Sequence, residues 1–159
     1  MEWLQLFDKN ENVIDKKILR GEDPSGNEYI MVVYLFVFNS DNKILLERNF
    51  EKNIWVVPGG HVDTPNVIDN LKRESIEEMN LDISDCNIIN IDTLYNDNRI
   101  FKIFLIHKDV DINLLKLQPE EVSEVKYFSL EEIDNMINDG TFRENNIKFI
   151  DSLKKHLNK

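Results

Sequence analysis

The stretch Trp55-Val56-Val57-Pro58-Gly59-Gly60-His61-Val62-Asp63-Thr64-Pro65-Asn66-Val67-Ile68-Asp69-Asn70-Leu71-Lys72-Arg73-Glu74-Ser75-Ile76-Glu77-Glu78-Met79-Asn80-Leu81 decides how the rest of the chain is read. It predicts the end of a strand, a Pro-Gly-Gly turn, a short polar loop and a helix. Helix entry is expected near Thr64, Pro65 or Asn66, because Thr and Asn cap well and Pro suits the first helical position. Asn80 stands where a left-handed residue closes a helix. Ile68, Leu71, Lys72, Ser75, Ile76 and Met79 fall on one side and form the expected packing face. Glu74, Glu77 and Glu78, at i, i+3 and i+4, share the flank. Three carboxylates so close repel one another unless a cation sits among them. A hard divalent ion such as Mg2+, with Mn2+ as the other candidate, prefers such oxygens and leaves coordination sites for substrate phosphate.

On either side of this stretch, residues 1–20 predict a hairpin and 29–38 a central strand, with 43–48 returning as its partner. A second hairpin is expected from strands at 83–95 and 100–107 around the turn Asn96-Asp97-Asn98. Residues 109–124 read as loop, and 125–128 as a last strand. Ser129-Leu130-Glu131-Glu132 is a capping box opening a helix that Gly140 ends. Within 141–159, Ile147, Ile150, Leu153 and Leu157 space out a closing amphipathic helix. Strands and helices in this order predict an α/β sandwich around a mixed sheet, and the 159 residues suit a single domain.

Composition narrows the function. With 42% hydrophobic and 31% charged residues, and no apolar run near the roughly 20 residues that span a bilayer, a membrane role is not expected. A net charge of −11 argues against nucleic-acid binding, which needs clustered Lys and Arg. The lone Cys86 excludes an internal disulfide, and no secretory leader is read at the N-terminus, so a cytoplasmic protein is expected. Trp55 and Tyr34 read as core residues. An acidic protein that handles phosphates needs cations to bring them in, which agrees with the carboxylate trio.

Arg73-Glu74-Ser75-Ile76-Glu77-Glu78-Met79-Asn80-Leu81, preceded by the Pro58-Gly59-Gly60 entry, resembles the signature helix of the Nudix hydrolases. Ile44-Leu45-Leu46-Glu47-Arg48 upstream and residues 121–132 downstream extend the likeness. The resemblance implies a Nudix-type α/β/α sandwich that hydrolyses a nucleoside diphosphate linked to another group. It implies Glu74, Glu77 and Glu78 as metal ligands, helped by a carbonyl of Gly59 or Gly60, and Arg73 pairing with a helix carboxylate such as Glu77. Arg48, Gly59, Gly60 and His61 would meet a small phosphorylated substrate. Glu121, with Glu120 and Glu124 as rivals, would be the base from the later loop. A homodimer is compatible with this reading.

Three departures from the signature stand out. Twelve residues separate Gly60 from Arg73, one fewer than in the family. The signature's first glutamate has no counterpart, Asp63 and Asp69 being the nearest carboxylates. Ser75 and Asn80 replace an apolar residue and a glycine. A binding module with weak or no catalysis is therefore the alternative expectation.

Overall fold

The computed structural model describes residues 2–49, 53–120 and 122–159, the side chain of Asn49 excepted. The organising element is β3 (Tyr29–Phe38), whose two faces are both buried. Met31, Val33, Leu35 and Val37 face one core, and Phe36 and Phe38 the other. Such a strand must be covered on both sides, which explains its nearly continuous apolar run.

One edge of β3 pairs in parallel with β8 (Arg99–His107), from Ile30↔Arg99 to Phe38↔His107. Its other edge is shared in succession by β1 (Trp3–Phe7), β6 (Gly59–His61) and the start of β4 (Ile44–Asn49). β2 (Val13–Leu19) completes the N-terminal hairpin with β1. β7 (Ile89–Asn96) pairs with β8 around Asp97 and Asn98, both at positive φ as a two-residue hairpin turn requires. β5 (Trp55–Val56) and β9 (Val122–Phe128) lie on β4.

α1 (Val67–Met79) covers one face of this mixed sheet. α2 (Leu130–Asp139) and α3 (Ile147–Leu157) cover the other with Ile133, Met136, Phe149, Ile150 and Leu153. The layers are those of an α/β/α sandwich. Ser129 and Glu132 form the predicted capping box, and Gly140 closes α2 in the left-handed region at φ 82°. Among the described residues no helix is long and apolar enough to cross a membrane.

Four expectations are corrected. Gly59 and Gly60 form no turn: they are extended in β6, opposite Tyr34 and Val33. Residues 83–88 precede the strand, because the Asp82 carboxylate accepts from the Ser84 N–H and Cys86 N–H bonds to Ile83 O, a local turn that displaces the ladder. β9 begins at Val122, earlier than expected, since a bulge against Arg48 and Asn49 puts Val122, Val125 and Phe128 inside and masks the period of two. The packing face of α1 is also rotated: Asn70, Leu71, Ser75, Glu78 and Met79 are buried, while Ile76 is 47% exposed.

Candidate active site

The rotation of α1 builds the site. Ser75 centres the buried face, its hydroxyl donating to Leu71 O at 3.0 Å. A small residue there lets the helix lie close to the Gly59–Gly60 strand. A Cβ on Gly60 would meet the Glu74 Oε2 at 3.1 Å, so backbone and carboxylate are already in contact. Around Ser75, Glu74 and Glu78 border the packed face and Glu77 stands further out, its side chain 55% exposed.

Asn66 caps α1, its side chain accepting from the Asp69 N–H, and Asn80 ends it at φ 56°. The loop between β6 and α1 is held by the buried Asn70, whose Oδ1 accepts from the Asp63 N–H at 3.1 Å and from Arg73 Nη2 at 3.1 Å. Arg73 is the hub. Its Nη2 donates to Asp63 Oδ1 at 2.6 Å and approaches Glu74 Oε1 at 3.5 Å, and its Nε lies 3.4 Å from Glu77 Oε1. The expected i,i+4 pair with Glu77 is present, but the shortest contact is with Asp63. No spacing rule pointed to Asp63 as that partner; its being the nearest loop carboxylate was the only signal.

Asp63, Glu74, Glu77, Glu78 and the Gly59–Gly60 strand line a cleft of about 650 Å³, together with Tyr34, Glu47, His61, Gln118, Glu120 and Arg143 among others, while Arg73 is not among the lining residues and reaches the cleft through the carboxylates it pairs with. Gln118 N–H donates to Glu78 O at 2.8 Å and Lys116 N–H to Met79 O at 3.0 Å. The loop before β9 thus docks on the carbonyl end of α1, which brings Glu120 into the cleft. Glu124 lies outside it, paired with Arg48 at 3.0 Å, and Glu121 lies outside the described residues. Arg48 is not among the cleft-lining residues; it also reaches Ser123 Oγ at 3.3 Å and sits over the Trp55 ring. Tyr34 packs on Phe149 at 4.3 Å as a core residue does, yet also lines the cleft. Trp55 packs edge-on against Phe128.

Electrostatics follow from the crowding. Burial, reinforced by the charge of Glu77 and opposed by Arg73, pushes the Glu74 carboxyl up to about 7. Burial first, and then the Arg20 charge, lower the pKa of His61 below the ordinary imidazole value. Among the described residues no three Asp, Glu, His or Cys side chains are gathered closely enough to hold a metal ion as they stand. Arg73 lies between Glu74 and Glu77, 3.5 Å from the first and 3.4 Å from the second.

The raised pKa of Glu74 gives a stability prediction for the metal-free protein. The folded-state value of about 7 lies above the ordinary 4.5, so the folded chain binds more protons between them. Stability is full below about pH 4.5 and falls as pH rises through 7. At pH 8, Glu74→Gln is expected to raise Tm by roughly 3–6 °C, about 1–2 kcal/mol after allowance for solvent screening. Thermal melts at pH 4 and pH 8 check this: the gain should vanish at pH 4, and no gain at pH 8 would refute it.

Three comparisons place the chain among known proteins. Residues 28–153 match the family model described as NUDIX domain. An uncharacterized Nudix hydrolase of Listeria innocua, lin0387, is 26% identical over 149 residues, covering 89% of this chain and 88% of that protein. DR0079 from Deinococcus radiodurans has a similar crystal structure, with TM-score 0.74 at 19% identity over 94% of this chain and 97% of that one. The NUDIX domain of Shewanella oneidensis NrtR, complexed with ADP ribose, aligns with TM-score 0.66 at 18% identity, covering 86% and 94%.

Proposed function

The chain belongs to the Nudix family, and from that premise we propose that it hydrolyses a phosphoanhydride bond in a nucleoside diphosphate linked to another group, with Mg2+ or Mn2+. The observation that carries this reading is the convergence of Glu74, Glu77, Glu78 and the Gly59–Gly60 strand on one cleft. The donor set fits a hard cation: all carboxylate and carbonyl oxygen, with one member, Glu74, whose ionised form is disfavoured by burial and by the charge of Glu77. Glu74, Glu77 and Glu78 would hold the ion, with a carbonyl of Gly59 or Gly60. Bound there, it supplies charge neutralisation for phosphoryl oxygens and a water of lowered pKa.

The chain's own residues do the rest. Arg73, fixed by Asp63 and Asn70, orients Glu74 and Glu77. Glu120, or Glu121 next to it in the sequence, would take the proton from the attacking water, a role worth about 10²–10⁴-fold. His61, whose neutral form burial favours, would offer a hydrogen bond to substrate. The same reading takes residues 1–159 as one unit, acting on a small nucleotide in the cytoplasm.

The test is a panel of nucleotides, nucleotide sugars, dinucleoside polyphosphates and ADP-ribose, the last because a similarly folded NUDIX domain is complexed with it. At least one member should release phosphate or a nucleoside monophosphate with Mg2+, and EDTA should abolish that release. The loop one residue short and the missing first glutamate of the signature favour a second reading, a nucleotide-binding module. Tight binding by calorimetry, with no turnover at any metal concentration, would establish that one instead.

A further inference from the structure

The chain has five arginines against an excess of acids. Arg20, Arg48, Arg73 and Arg99 each engage a carboxylate, of Glu2, Glu124, Asp63 and Asp23 respectively. Arg143 makes no ion pair within 4 Å among the described residues, although it lines the same cleft as Glu47, Glu74, Glu77, Glu78 and Glu120. Its backbone is firmly placed. Trp55 N–H donates to Thr141 O at 2.9 Å, and Arg143 N–H donates to Trp55 O at 2.9 Å, so this segment runs parallel to β5 as an added strand. Two residues beyond β5's first, the Val57 N–H donates to Oδ1 of Asn146, which is fully buried. Phe142 is buried in the core beneath α2 and α3, and alternation along an extended segment turns Arg143 the other way.

In a protein of net charge −11, a guanidinium held on a clamped backbone, inside an acidic cleft and without a carboxylate partner among the described residues, is a preorganised anion receptor. We propose that Arg143 is a substrate-recognition residue whose guanidinium receives a phosphoryl group. The carboxylates of α1 serve phosphate only through a cation; Arg143, from the β5 wall, contacts it directly. Arg20 is a weaker candidate because Glu2 already occupies it at 2.9 Å. This inference deepens the hydrolase reading and rests on it for the identity of the substrate, but the anion-binding role is testable alone.

The experiment measures binding of pyrophosphate, ADP and adenosine by calorimetry in EDTA, and KM and kcat with Mg2+ on the best panel substrate. Wild type, Arg143→Ala and Arg143→Lys are compared. Arg143→Ala is expected to weaken pyrophosphate and ADP binding about 10- to 100-fold while changing adenosine binding less than about twofold. KM should rise by a similar factor with kcat within about threefold, and Arg143→Lys should recover part of the loss. Unchanged pyrophosphate and ADP binding in Arg143→Ala overturns the inference, as does equal weakening of adenosine, which would mean a general collapse of the cleft. No pyrophosphate or ADP binding by wild type overturns it too. Turnover with an unaffected KM in Arg143→Ala defeats the inference alone. Arg143-dependent binding without turnover defeats the hydrolase reading alone.

Discussion

Glu77→Gln and Glu78→Gln are each expected to lower kcat on the best substrate by about 10²–10⁴-fold, with thermal stability in the metal-free state little changed or improved. Glutamine keeps the shape of the side chain and one carbonyl oxygen. It removes the negative charge that would bind a hard cation and adds two donors where only acceptors are useful. Glu78, almost fully buried on α1, should be the more sensitive in kcat. Glu77, more exposed and 3.4 Å from Arg73 Nε, should also show a higher Mg2+ requirement. Steady-state kinetics across a Mg2+ titration, beside melts of each variant, separate lost ligation from lost folding. Wild-type turnover in both variants would mean that the chemistry lies elsewhere in the cleft.

Much of this site was legible because its signals are local. Asn66 and Asn80 bracket α1, and the Ser129–Glu132 capping box opens α2; each acts within a turn of its own position. The trio on α1 follows from helical geometry alone. What escaped is what the chain assembles across distance. Asp63 reaches Arg73 only because buried Asn70 folds the loop back on the helix. Arg143 enters the cleft because Thr141 and Asn146 bond to a strand far earlier in the chain. Arg48 read as a phosphate contact, but Glu124 and Ser123 on the neighbouring β9 hold it. Apolar residues also misled: Ile83 is fully buried from a turn, so its alternation with neighbours looked like strand. Ile76 looked like core, yet it is 47% exposed and Ser75 takes the inner position, its hydroxyl satisfied by the Leu71 carbonyl oxygen.

Close packing around β6 makes its two glycines the sharpest probes of the site. Neither is required for a left-handed backbone; Gly59 is required for space, and Gly60 borders the Glu74 carboxylate. A methyl on Gly59 would collide with the Val33 carbonyl oxygen and lie 2.7 Å from Tyr34 Cδ1. A backbone oxygen inside a ladder cannot move without breaking the β3–β6 pairing. Gly59→Ala is therefore expected to cost about 3 kcal/mol and lower Tm by roughly 6–12 °C. Gly60→Ala meets only the tip of Glu74, at 3.1 Å from Oε2, and a flexible carboxylate can yield. Its stability cost should stay below about 1 kcal/mol. Displacing Glu74 by even a fraction of an ångström should nevertheless lower kcat by about 10-fold or more, since reacting groups tolerate little misplacement. Thermal melts and kinetics on the two variants check both halves. A fully stable Gly59→Ala would refute the close packing of β6 on β3. A stable Gly60→Ala with undiminished kcat would remove Glu74 from the catalytic centre and leave Glu77 and Glu78 to define it.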